Sequence, residues 1–288
     1  MRGRIVALSC GMYSIDVDGV LYHAPARGLF RNRGVKPIVG DDVEISDGNY
    51  VITNVYDRVS CLKRPPISNI DQMLIIESLK EPEFSYLLAF KYLTYANMNG
   101  IKAKIILTKS DKEADKALIQ EIVETFKAIN VDTYVVSNKT MEGLEEVKKL
   151  FNGHVSCLIG QSGVGKSSLI NSIDKDFERR VGEYSDALGR GKHQTKEVIL
   201  LPYEGGYIAD TPGFSSLELE LYKEDLAQFY PGFNENYTNC YFSNCLHISE
   251  NRCAVKELLE SGKYPQIAYD CYLKLSEQSI FRSKRYER

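Results

Sequence analysis

Residues 1 to about 62 alternate apolar and polar positions: Tyr13, Ile15 and Val17 stand against Ser14, Asp16 and Asp18, and Val43 and Ile45 against Asp42, Glu44 and Ser46. A two-residue period lays one row of side chains on a core and leaves the other in water, so these runs predict half-buried strands. Asp18-Gly19 and Asp47-Gly48 punctuate the runs, and both residue types tolerate the positive φ that a tight hairpin demands. About five such strands in roughly sixty residues predict a small closed β barrel of the OB or SH3 type. The pattern does not separate the two, and OB is the working assignment. Lys63-Arg64-Pro65-Pro66 then interrupts the alternation. Paired prolines suit a linker better than a ladder, so a domain boundary is expected there.

From 70 to about 218 short apolar runs alternate with longer helical stretches. Met73–Ile76, Ile105–Leu107, Val131–Val136, Val155–Ile159 and Val198–Leu201 read as strands, whereas Glu113–Ile129 and Leu144–Phe151 carry helical spacing. Such alternation predicts a mostly parallel sheet covered by helices, with ligands at the carboxyl ends of the strands. Beyond 218 the strands fade, and Leu221–Phe229, Val255–Leu259 and Pro265–Phe281 read as helices around a cysteine-rich loop.

Composition narrows the class. At 288 residues, 43% hydrophobic and 26% charged, the chain excludes collagen-like, disordered and coiled-coil proteins and has length for more than one domain. No run approaches the ~18 apolar residues of a membrane span, and the amino terminus lacks a signal peptide's apolar region, so a cytoplasmic protein without membrane contact is expected. With 36 Lys plus Arg against 39 Asp plus Glu, any contact with nucleic acid must be local. Seven cysteines in a reducing compartment read as free thiols or metal ligands.

The candidate chemistry begins at Gly160-Gln161-Ser162-Gly163-Val164-Gly165-Lys166-Ser167-Ser168, which follows an apolar run and precedes a helical one. This G-x-x-x-x-G-K-[ST] spacing turns backbone N–H groups inward as a phosphate cradle. Lys166 then reaches the β and γ phosphates, and the Ser167 hydroxyl ligates Mg²⁺. Thr108-Lys109-Ser110-Asp111 ends another apolar run and resembles the guanine-recognition motif N-K-x-D of GTPases. An aspartate accepts from both N1–H and the exocyclic amine of guanine, a pattern adenine does not offer. Ser137-Asn138-Lys139-Thr140 resembles the S-A-K motif, whose backbone contacts guanine O6; Thr108 and Asn138 are departures from the two patterns. Asp210-Thr211-Pro212-Gly213 fits D-x-x-G, in which Asp210 holds a Mg²⁺-bound water and the Gly213 N–H approaches the γ phosphate. The polar stretch Gly182–Lys196 lies between, and its Thr195 is positioned in sequence to complete the Mg²⁺ shell. In a conventional GTPase the phosphate loop comes first; here the base-recognition segments precede it, an arrangement that looks like a circularly permuted GTPase.

Cys240, Cys245, His247 and Cys253 give C-x₄-C-x-H-x₅-C. Three thiolates and an imidazole satisfy tetrahedral Zn²⁺, and filling all four positions with protein ligands makes the expected site structural, with one zinc per chain.

Together GQSGVGKSS, TKSD, DTPG, the GRGKH segment and the cysteine spacing resemble the ribosome small-subunit-dependent, circularly permuted GTPases that act in late maturation of the small ribosomal subunit. The resemblance implies a multidomain chain: an N-terminal OB-like β barrel over 1–62, a central α/β circularly permuted P-loop GTPase domain over 63–218, and a C-terminal helical zinc-binding domain over 219–288. It implies a GTPase using GTP with Mg²⁺, monomeric, with the small ribosomal subunit and its rRNA as partners. Hydrolysis would be stimulated by the subunit and coupled to release; the contrasting reading is a nucleotide-locked rRNA-binding scaffold with little turnover. Phe214 stands where many GTPases carry a water-orienting glutamine, and the resemblance points to His193 as the catalytic substitute. Only Thr195 remains of the threonines the family often shows after GRGKH.

Overall fold

The alternating rows at the amino terminus pack as expected. β1 (Arg2–Ser9), β2 (Met12–Val17), β3 (Val20–Pro25), β4 (Asp42–Ile45) and β5 (Ile52–Val55) form one sheet in the order β3-β2-β1-β4-β5. Ile5, Ile15, Ala24, Val43, Ile45 and Ile52 are buried inside it. Between β2 and β3, Asp18 (φ 50°) and Gly19 (φ 85°) make the two-residue turn, and the Gly19 N–H donates to Asp16 Oδ1 at 2.8 Å. Two successive positive φ values match the right-handed twist of the flanking strands. A parallel bridge from Ala26 to Ile52 links the end of β3 to β5. With β1 central, this third-to-fifth seam is the closure of an OB barrel. The computed structural model describes residues 1–9, 11–26, 36–63, 65–113, 115–179, 198–210 and 217–279.

The proline pair does not form a linker. β6 (Cys61–Lys63) and β7 (Pro66–Ser68) pair antiparallel with Leu62 opposite Ile67, both fully buried. Pro66 stands first in its strand, where its missing N–H leaves the other rungs intact. The hairpin is held by fully buried Asp41, which accepts from Arg58 Nε at 2.7 Å and Nη2 at 2.8 Å and from Ser68 Oγ at 2.5 Å. That bond to Asp41 raises the Arg58 pKa above its ordinary value, so the guanidinium is charged throughout the working pH range.

The remaining elements are β8 (Gln72–Ser78), α1 (Tyr86–Met98), β9 (Lys102–Thr108), α2 (Lys116–Lys127), β10 (Thr133–Val135), α3 (Leu144–Lys149), β11 (Val155–Ile159), α4 (Lys166–Ile173), β12 (Ile199–Tyr203), β13 (Gly206–Asp210), α5 (Leu226–Phe229), α6 (Ala254–Glu260) and α7 (Gln266–Gln278). The described residues of 1–74, 141–159 and 166–215 make one compact unit, and those of 75–140, 160–165 and 216–288 a second. β8 runs through both.

In the first unit the strands follow the order β8-β11-β13-β12. The Gln72 side chain donates to Ser156 Oγ at 2.7 Å and to Leu150 O at 2.5 Å. β11 and β13 are parallel, with Val155 opposite Tyr207, and β12 returns antiparallel on β13. The barrel is tied to this edge: the Tyr207 hydroxyl donates to Asp16 Oδ2 at 2.9 Å, and the Arg4 guanidinium lies 5.5 Å from the Tyr207 ring centre. Burial and the adjacent Asp16 carboxylate push the Tyr207 pKa up, so the phenol stays neutral and keeps its proton to donate.

In the second unit the order is β10-β9-β8, with β10 parallel to β9. Asp115 caps α2 by accepting from the Ala117 and Leu118 N–H groups. α1 lies in a segment whose spacing gave no helical signal. Its Ala89, Phe90, Tyr92, Leu93, Thr94 and Ala96 are all buried, and a helix apolar on nearly every side has no amphipathic period to read. The helix expected over Leu221–Phe229 shrinks to a 3₁₀ turn at Lys223–Asp225 followed by the single turn α5. The core behind it is aromatic: Phe90 stacks on Tyr230 with centroids 5.5 Å apart, and Phe233 lies 4.7 Å from Tyr272.

Candidate nucleotide site and metal centre

Parallel pairing directs the candidate segments to one kind of place, the carboxyl ends of strands: TKSD at the end of β9, SNKT after β10, the glycine-rich loop after β11, and Asp210, the first residue of DTPG, as the last residue of β13. The TKSD and SNKT loops come before the glycine-rich loop of 160–165 in the chain, the permuted order.

Glycine is required at the first turn of the phosphate loop. Gly160 has φ 153°, and a Cβ there would lie 2.1 Å from the Ile76 carbonyl oxygen, closer than any real Cβ contact. Gly163 (φ 82°) and Gly165 (φ 95°) also take positive φ, which lets the loop fold inward before α4 opens at Lys166.

The TKSD loop is fastened to the loop of 160–165 by its first two residues. Fully buried Thr108 donates from Oγ1 to the Val164 carbonyl at 2.6 Å. The threonine that replaces the usual asparagine therefore acts as a staple. Lys109, in left-handed conformation (φ 60°), donates from Nζ to the Gly163 carbonyl at 2.8 Å and to the Glu81 carbonyl. Glu81 also pairs with Lys112; nothing in its sequence context marks it, because it lies some thirty residues before its partners.

Asp111 is exposed at the loop tip and accepts from Ser137 Oγ at 2.7 Å. That bond holds its carboxyl below the ordinary carboxylate range, with the ammonium groups of Lys139 and Lys112 adding to it. Ser137 is fully buried, and its oxygen accepts from the N–H groups of Lys139 at 3.2 Å and Thr140 at 3.1 Å. One hydroxyl thus shapes the SNKT turn and aims the aspartate. The Ser110 N–H donates to the Val136 carbonyl at 3.2 Å, a further tie between the loops. Asn138 packs beside Gly165.

At the phosphate end, Lys166 and Ser167 line a cavity of about 240 Å³ with Ile170, Phe177, Ile208 and Ala209. Gln161, Ser162 and Ser168 lie in the loop and first helical turn. Asp210 closes β13 opposite Ile199. His193, Thr195, Gly213 and Phe214 lie outside the described residues, as do Cys10 and the basic tail of Arg282, Lys284, Arg285 and Arg288.

The four expected metal ligands converge. One donor atom each from Cys240, Cys245, His247 and Cys253 lies within 4.8 Å of all the others. Cys240 Sγ is 3.8 Å from Cys253 Sγ, and His247 Nδ1 is 3.4 Å from both sulfurs. Tetrahedral Zn²⁺ with bonds of about 2.3 Å to sulfur and 2.0 Å to nitrogen requires S···S and S···N separations of roughly 3.8 and 3.5 Å, so the donor set fits. Burial pushes the Cys245 thiol up to about 12 and keeps His247 neutral, the protonation state in which imidazole coordinates. The loop is braced from α7, where Tyr269 and Tyr272 donate to the carbonyls of His247 and Leu246, each at 2.7 Å. The Glu250 carboxylate accepts from the N–H groups of Leu246, Ile248 and Ser249.

The sequence matches the family described as RsgA GTPase over residues 55–220 and the RsgA N-terminal domain over residues 2–50. It is 38% identical over 291 aligned positions to the small ribosomal subunit biogenesis GTPase RsgA of Geobacillus sp. (strain WCH70), covering 99% of each chain. Its identity to the RsgA of Staphylococcus epidermidis is 40%, again with 99% of each covered. Among solved structures it is similar to YjeQ from Thermotoga maritima, with a TM-score of 0.84, 32% identity, and 96% of this chain and 97% of that one covered. It is also similar to YloQ, a circularly permuted GTPase, with a TM-score of 0.80, 32% identity, and 96% and 94% covered.

Proposed function

Since the chain belongs to the RsgA family of small ribosomal subunit biogenesis GTPases and is a hydrolase acting on GTP, we propose that its turnover is stimulated by the small subunit and coupled to release from it. The observation that supports a guanine-nucleotide reading is the pair of bonds from Thr108 and Lys109 to the Val164 and Gly163 carbonyls. They fix the loop carrying Asp111 to the loop that runs into Lys166 two residues later.

In this reading Asp111 accepts from the N1–H and exocyclic amine of guanine, and the Lys109 stem packs on the base plane. The Asn138 and Lys139 region presents backbone N–H to O6. N–H groups of 160–168 cradle the phosphates, and Lys166 neutralises charge on the β and γ groups. Ser167, Thr195 and Asp210 would hold Mg²⁺, which when bound neutralises charge developing on the transferred phosphoryl group. Gly213 and His193, outside the described residues, would supply an N–H to the γ phosphate and an imidazole for the attacking water. The Cys₃His cluster takes one structural Zn²⁺.

The working division is barrel 1–62, permuted GTPase 63–218 and zinc module 219–288, with barrel and zinc module contacting rRNA. The protein acts as a cytoplasmic monomer. Among the described residues no helix is long and apolar enough to cross a membrane. The test is GTP turnover with and without purified small subunits, wild type beside His193→Ala. Stimulation lost in the variant, with GDP binding retained, is the expected result. Turnover that ignores the subunit refutes the coupling, and a variant at full stimulated rate removes His193 from catalysis.

A further inference from the structure

The two departures from the guanine-recognition patterns meet at one glycine. A Cβ on Gly165 would lie 3.5 Å from Asn138 Nδ2 and 3.7 Å from Thr108 Oγ1. β9 and β10 are parallel neighbours with Leu107 opposite Val135, so both residues leave the sheet at the same edge. Where the N-K-x-D and S-A-K patterns place an amide on the first strand and a methyl on the second, this chain has a hydroxyl on the first and an amide on the second.

The donors nearby are committed. Thr108 spends its single proton on Val164 O, Lys109 Nζ is shared between the Gly163 and Glu81 carbonyls, and Ser137 Oγ donates to Asp111. The Asn138 amide is not: its Oδ1 is buried without a hydrogen-bond partner. A buried amide end left unpaired is costly and is retained where a ligand satisfies the group. As placed, the unpaired end is the acceptor Oδ1 and Nδ2 lies beside Gly165; a half-turn about the last side-chain bond exchanges the two and puts the NH₂ at the unpaired position, which then calls for an acceptor on the ligand.

Guanine has donors at N1 and N2, which suit Asp111, and acceptors at O6 and N7. Backbone N–H of the SNKT loop suits O6, which leaves N7. We propose that the recognition amide has moved one strand over, and that Asn138 is a base-reading residue whose side-chain NH₂ donates to N7 of the guanine ring. The proposal rests on the guanine-nucleotide reading of this site.

The test compares GDP with 7-deaza-GDP, in which a C–H replaces N7, by displacement of a labelled guanine nucleotide. Wild type is expected to bind 7-deaza-GDP about tenfold more weakly, the loss of one well-made bond. Asn138→Ala is expected to bind both equally, near the wild-type affinity for 7-deaza-GDP. Adding Thr108→Asn to Asn138→Ala returns the amide to its usual strand and restores the preference for GDP. Equal binding by wild type overturns the proposal without any mutation, so misfolding of a variant does not shelter it. A folded Asn138→Ala protein that keeps the wild-type ratio assigns N7 to another group, and a double variant still blind to N7 refutes the relocation. Wild type that binds neither nucleotide instead overturns the site reading beneath it.

Discussion

Replacing Thr108 by valine keeps the shape of a fully buried side chain and deletes one hydroxyl. That hydroxyl carries a single proton, and the 2.6 Å contact with Val164 O is the bond it makes; the Glu77 carbonyl at 3.3 Å is the poorer alternative. Val164 is itself fully buried, so water does not replace the lost donor and its carbonyl is stranded. An unsatisfied buried acceptor costs about 1–3 kcal/mol. If the phosphate loop must hold this position to bind, the whole cost appears in nucleotide affinity, a loss of about 5- to 150-fold. Equilibrium titration with a labelled guanine nucleotide measures it, with thermal unfolding run alongside to confirm the fold. Thr108→Ser, which keeps the donor, should stay within a few-fold of wild type. A valine variant that binds GDP as wild type does would show that the phosphate loop holds itself and that the staple has no functional weight.

Ser137→Ala should move the acid limb of GDP binding to higher pH. Asp111 must be ionised to accept from guanine, and the Ser137 bond depresses its pKa. Wild-type affinity should therefore hold as pH falls through the ordinary carboxylate range near ~3.9, while the variant loses affinity earlier; coincident pH profiles would contradict this. At the metal centre, elemental analysis should find one zinc per chain, and Cys253→Ala should abolish it. A structural site of this kind is worth on the order of 10 kcal/mol, so chelation should expose the amides of 240–253 and α7 to hydrogen exchange. Metal-free protein with unchanged protection would rule out a structural metal.

Much of the site was legible because phosphate and guanine chemistry constrain short contiguous segments. The glycines of 160–165 have to take positive φ, and the apolar runs ahead of Thr108, Ser137 and Gly160 had to be strands for the loops to share an edge. The Asp18-Gly19 turn was legible for the same local reason. What was hidden depends on partners distant in sequence. α1 is buried on nearly all sides, so its period vanished into uniform hydrophobicity. The hairpin through Pro65 and Pro66 is held by Asp41 and Arg58, which no spacing rule connects to it. Thr108 looked like a weakened asparagine until its bond to Val164 came into view, and Glu81 carried no signal.

The joint at Tyr207 bears on how freely such a chain exchanges parts. Its hydroxyl needs the Asp16 carboxylate and its ring lies under Arg4, three positions ahead of the strand's last residue, Asp210. Cutting away the first sixty residues would leave that phenol without an acceptor on the strand that ends at Asp210. The amino-terminal barrel is therefore part of the engine's frame rather than a tool fitted to it. Another module grafted in its place would have to rebuild the Asp16–Arg4 socket before it could work.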